Sequence, residues 1–120
     1  MKLGLWLTWV ALASLAYGSV AEAGCAYPKA PESVPDGKTA SQEVMVSAMT
    51  AFKQYNSDVT VYLACLDTET TDKIRDAGGA TSAVMQIKSM QGKKHNAAVD
   101  ELKALAGKFN EQVRNFKTRQ

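Results

Sequence analysis

No proline follows Pro35, and the one paired glycine beyond it, Gly78-Gly79, divides the remaining chain into two stretches of nearly equal length, residues 40–77 and 80–118. Proline is the strongest helix breaker and a glycine pair is the strongest turn signal left once prolines are gone. Two long helices folded back about residues 78–79 are therefore the simplest arrangement. In the first stretch Met45, Met49, Phe52, Tyr55 or Asn56, Val59, Tyr62 and Leu66 recur at steps near three and four. That is a helical stripe, not the alternation of a strand. The second stripe runs Val99, Leu102, Ala106, Phe109, Val113, Phe116, which is a heptad seam, with Ala98 and Leu105 widening it. Val84, Met85, Ile87 and Met90 extend it more loosely toward the glycines.

The predicted fold is all-α: a long antiparallel two-helix hairpin, coiled-coil-like, with helices over about 39–77 and 80–118. Thr39-Ala-Ser-Gln42 has the form of a capping box opening the first helix, and Thr81 or Ser82 can cap the second. The polar run Asp67–Asp72 offers an alternative site for the turn, near Thr70. Folding about the glycines places Cys65 opposite Gly92, Tyr62 opposite His95, Tyr55 opposite Leu102 and Phe52 opposite Leu105. Gly92 would then make room beside Cys65.

Residues 1–23 read as a signal peptide, not as fold. Lys2 is followed by the apolar run Leu3–Tyr17, and Ala21-Glu22-Ala23 carries small residues where a signal peptidase reads. Cleavage after Ala23 leaves Gly24-Cys25 at the front. An uncut anchor over Leu3–Ala21 and a lipid on Cys25 compete with this. The Ala-x-Ala site opposes the first, and Glu22, where leucine is wanted, opposes the second. The expected location is the periplasm or the exterior, with membrane contact only through an uncleaved signal segment.

Export places Cys25 and Cys65 where disulfides persist, and they form no C-x-x-C pair. Residues 24–38 contain all three prolines, Pro28, Pro31 and Pro35, which favour an extended strap. Cys25 to Thr39 spans about 43 Å at ~3.1 Å per residue. A helix from Thr39 reaches Cys65 after about 39 Å at 1.5 Å per residue. The lengths match, so the strap can run antiparallel along the first helix and be pinned by a Cys25–Cys65 bond. Closing that loop stabilises the fold by roughly 4 kcal/mol.

Charge excludes some functions. The chain has 14 Lys and Arg against 12 Asp and Glu, a net charge of +2, so no nucleic-acid partner is expected. Residues 24–72 are net acidic and residues 73–120 net basic, an asymmetry that can orient the helices or simply be two solvated faces. Lys103, Lys108, Arg114, Lys117 and Arg119 suit an anionic surface or the helix dipole equally. Asp67, Glu69, Asp72 and Asp76 gather near the tip, but Asp72 stands where a calcium loop needs glycine.

No catalytic residue is expected. His95 is the only histidine, and a Cys65 held in a disulfide cannot serve as its nucleophile. A soft-metal site would use Met45, Met49, Met90 and His95, with Met85 nearby in sequence. Methionines also fill cores, so no metal and no cofactor are expected.

Several segments together resemble an uncharacterised family of small exported proteobacterial helical-hairpin proteins: Pro35-Asp-Gly37, Tyr62-Leu-Ala-Cys-Leu-Asp67 with Glu69, His95-Asn-Ala-Ala-Val-Asp-Glu101, Phe109-Asn110, Val113-Arg114 and Phe116-Lys117. The resemblance spans about Cys25 to Lys117 and implies an exported hairpin with one cysteine near the mature start and one in mid-helix. It brings no activity. The expected role is structural or adaptor, or binding in the cell envelope, through a homo-oligomer or an envelope protein partner. The alternative is a periplasmic metal or small-ligand carrier.

Overall fold

The structure, a computed structural model, describes residues 24–120. The signal-peptide reading of residues 1–23 lies outside the described residues. Helix α1 spans Gln42–Asp76 and helix α2 spans Thr81–Thr118, 35 and 38 residues long. At 1.5 Å per residue these are rods of about 52 and 57 Å. They pack side by side as an antiparallel hairpin, with no strand among the described residues.

The turn lies at the glycine pair and not near Thr70. Gly78 and Gly79 both adopt left-handed backbone, φ +67° and +72°, which side chains with a Cβ strongly disfavour. The amide of Gly78 donates to the Arg75 carbonyl and that of Gly79 to the Ile74 carbonyl, so the loose carbonyls at the end of α1 are satisfied. The polar run Asp67–Asp72 is continuous helix. Its polarity does not break α1 because Lys73 and Arg75 pair with Glu69 and Asp72 along the same surface.

The helix starts differ from the capping expectations. Asp36 to Ala40 form a tight turn, with the amides of Thr39 and Ala40 both donating to the Asp36 carbonyl and Asp36 Oδ1 accepting from the Lys38 amide. This holds Thr39 outside the helix. Ser41 is the cap, its Oγ accepting from the Val44 amide at 3.2 Å. Thr81 and Ser82 lie inside α2, and Ala80 precedes it with no side-chain cap.

The strap runs antiparallel to α1, over the cleft between the helices. Cys25 is bonded to Cys65, Tyr27 packs edge-on against Tyr62, and Pro31, Val34 and Pro35 meet Ala48, Ala51 and Phe52. Beneath it lies a core of Tyr55, Val59, Tyr62, Leu66 and Ala98, with Leu102 and Leu105 packed against it. Phe52 stacks on Phe109 at 5.6 Å. Two helices alone offer each other one stripe; the strap supplies the third wall that closes it.

The pairing is close to the expected register, with two corrections. Phe52 stacks on Phe109, one turn beyond Leu105, although Leu105 borders the same small cavity. Ala98, not His95, shares the core with Tyr62, and His95 is exposed. Ala98 is fully buried, and its single methyl lets Tyr62 and Tyr55 sit between the helices. Gly92 makes no room for the disulfide, since a Cβ there would meet nothing within 4 Å.

Candidate functional site

The strap is held at both ends. At the Cys25 end, the Tyr27 hydroxyl donates to Glu101 of α2 at 2.7 Å. That hydrogen bond to Glu101, reinforced by burial, pushes the Tyr27 hydroxyl up to about 12. At the other end, the Gly37 amide donates to the Gln112 side-chain oxygen at 2.9 Å. Gly37 is buried there because its backbone touches that of α2. A Cβ would lie 2.8 Å from the Gln112 carbonyl carbon, with the carbonyl oxygen closer still. Arg119 completes this end, donating to the carbonyls of Lys38 and Ala40 while its guanidinium lies over Phe116 at 4.8 Å.

These contacts were not legible beforehand. Pro35-Asp-Gly37 reads as a turn, but nothing local reveals the helix that Gly37 touches 75 residues later. Arg119, one of five basic residues grouped above as a surface or dipole feature, instead ties down the strap.

Beyond Cys25 the same cleft continues uncovered toward the tip. Leu66, Glu69, Thr70 and Lys73 of α1 face Ile87, Met90 and Lys94 of α2 around a groove of about 190 Å³. Leu66 is shared between the core and this groove. Met90 is 53% exposed. Glu69 Oε1 accepts from Lys73 and lies 3.8 Å from Lys94 Nζ, the one ion pair between the helices among the described residues. The hydrogen bond from Lys73, with the charge of Lys94 behind it, holds the Glu69 carboxyl below its ordinary range against the opposing effect of burial. Glu69 Oε2 is shut off from solvent and has no protein donor. At the groove's upper edge Gln91 donates to Asp67 at 2.7 Å.

In the acidic tip Glu69 and Asp72 are charge-paired with Lys73 and Arg75, while Asp67 accepts a hydrogen bond from the uncharged Gln91 amide. The candidate soft-metal ligands are not brought together. Met45 is buried near the start of α1, while Met90 borders the groove that begins at Leu66. Those two points on α1 are separated by about 31 Å of helix. Met49, Met90 and His95 are each exposed. Among the described residues no three His, Cys, Asp or Glu side chains are placed to hold a metal ion, and no helix is long and apolar enough to cross a membrane. No protein-family model matches this chain, and no curated protein or solved structure is similar to it.

Proposed function

We propose that this protein acts by contact rather than catalysis, as an exported helical adaptor that presents the open end of its interhelical cleft to a protein of the cell envelope. The observation that carries this reading is the abrupt end of the strap. One cleft runs along the hairpin; the chain fills it from Gly37 to Cys25 and leaves the apolar continuation at half-buried Ile87 and exposed Met90 uncovered. A rod braced along one part and bare along the rest is suited to hold a partner at a fixed place. The Cys25–Cys65 bond supports an oxidising compartment, as does the secretory pattern of residues 1–23.

The test is photo-cross-linking in intact cells. A photoreactive residue replacing Met90 should capture a discrete envelope protein. The same residue replacing Asn56, exposed on α1 and outside the lining of this groove, should not. Equal labelling from both positions, or from neither, removes the basis for this role. Trapping free thiols in the same cells should show Cys25 and Cys65 oxidised.

A further inference from the structure

We infer that the side of the hairpin opposite the strap is a dimer interface, on which α1 lies against α2 of a second copy to make a four-helix bundle; this stands apart from the adaptor reading.

Each helix has a second apolar stripe that the hairpin does not use up. Ala48 and Ala51 of α1, and Ala104 and Leu105 of α2, border the strap. Met49, Asn56 and Leu63 of α1, and Val99, Ala106 and Val113 of α2, stand about a quarter to half a turn further round, on the side the strap does not reach. Both sets recur every seven residues, the spacing of a seam that faces another helix. Leu63, Val99, Ala106 and Val113 are only half-buried, and Met49 and Asn56 are exposed. Among the described residues seven apolar side chains are buried, a single core layer, and this face is the start of a second.

Charge and spacing identify the occupant. Helix α1 carries six carboxylates and three cations, and α2 three carboxylates and seven cations. On the uncovered side α2 presents Lys88 and Lys117 and α1 presents Asp67, none of them in an ion pair among the described residues. A two-fold axis lays this face on itself in two ways. One puts each helix on its own twin and brings the Lys117 end of α2 onto the Lys88 end of the second α2. The other, with the axis parallel to the hairpin, puts acidic α1 on basic α2, and only this one joins opposite charges. Within one hairpin Phe52 meets Phe109. The same level in the second copy sets Met49 against Val113, Asn56 against Ala106 and Leu63 against Val99, a larger side chain on a smaller one each time. It also sets Asp67 against His95, whose ring supplies a donor. Lys53 and Lys103 stay at the outer rims, in solvent.

The area suffices. From Met45 to Ile74 the face runs about 44 Å, and two helices side by side are about 18 Å wide. Each copy thus covers about 800 Å², the size of a standard interface. The strap and the groove at the tip stay outside the bundle, one of each per copy.

The experiment is sedimentation equilibrium of the oxidised protein, which at about 100 μM should give twice the chain mass. Ala106→Glu and Met49→Glu should each weaken association about ten- to hundred-fold, with the circular dichroism spectrum unchanged, because each sets a carboxylate in the apolar seam. Val61→Glu, on an exposed outer face of α1, should leave association as it was. A photoreactive residue replacing Asn56 should capture a second copy close to Ala106. That product has twice the chain mass and is distinct from any envelope protein captured at Met90, so either reading can fail without the other. A single-chain mass at every concentration, association that survives both seam variants or is lost equally with Val61→Glu, or cross-links from Asn56 to α1 of the second copy overturn the inference.

Discussion

The half of the hairpin beneath the strap and the half beyond it are built from the same two helices, yet they bury side chains very differently. Under the strap, Tyr55, Val59, Leu66 and Ala98 are all 2% exposed or less. From Asp67 to Ala97 no residue is buried, although Val84, Ile87 and Met90 continue the apolar pattern. The helices pack at both ends of the hairpin, so helix pairing alone does not bury a side chain here. A third wall does, and the strap supplies it only as far as Cys25. The lesson is that a two-helix rod becomes a cored domain only where a third segment lies across it.

The sharpest way to break this contrast is to free the strap. Replacing Cys25 and Cys65 together by Ser should lower stability by about 4 kcal/mol, read from denaturant midpoints. Amide exchange around Tyr55 and Tyr62 should then approach the rate found at the tip, while exchange near Gln86 stays as it was. The Tyr27 hydroxyl should also return toward 10 from about 12 once its bond to Glu101 is lost. Because that hydroxyl is raised in the folded state, its contribution is complete below pH 10 and disappears as pH climbs toward 12.

Two glycines sharpen the comparison with opposite signs. Gly37→Ala forces a methyl into the α2 backbone and should cost about 1–3 kcal/mol. Gly92→Ala, in a helix with open space around it, should raise the thermal midpoint and add up to about 1 kcal/mol. In the core, the Tyr55 hydroxyl is buried without a protein partner, so Tyr55→Phe should leave stability unchanged or raise it by about 1 kcal/mol. At the tip the effects shrink. Glu69→Gln should cost less than about 1 kcal/mol, since Lys73 is half exposed. The Glu69 carboxyl is depressed below its usual 4.5, so that loss should be full at neutral pH and vanish as acid protonates the native carboxylate.

Much of the architecture is legible in the residues. The Gly78-Gly79 pair marks the turn, the three-and-four spacing marks both helices, and the length match between strap and helix anticipates Cys25 meeting Cys65. What is missed follows from the range of the forces involved. The cap moves from Thr39 to Ser41 because Asp36 captures two amides just ahead of the helix. Gly92 looks like a relief for the disulfide only while the helix faces are unknown. Met45, Met49, Met90 and His95 look like one ligand set until the length of α1 separates them.

The candidate groove is less legible still. Glu69, Lys73 and Lys94 read as ordinary members of charged runs, and Ile87 and Met90 as a loose apolar edge. Periodicity records which face of a helix is apolar, but not whether anything lies on it.

From the residues alone come two rods, their hinge and the covalent pin, because local backbone preference, hydrophobic spacing and chain length are properties of the chain itself. Only the tertiary structure decides which stretch of the cleft is covered and which is bare. That depends on where an extended segment ends relative to two helices it meets 40 and 75 residues away, and no local rule carries information over that distance.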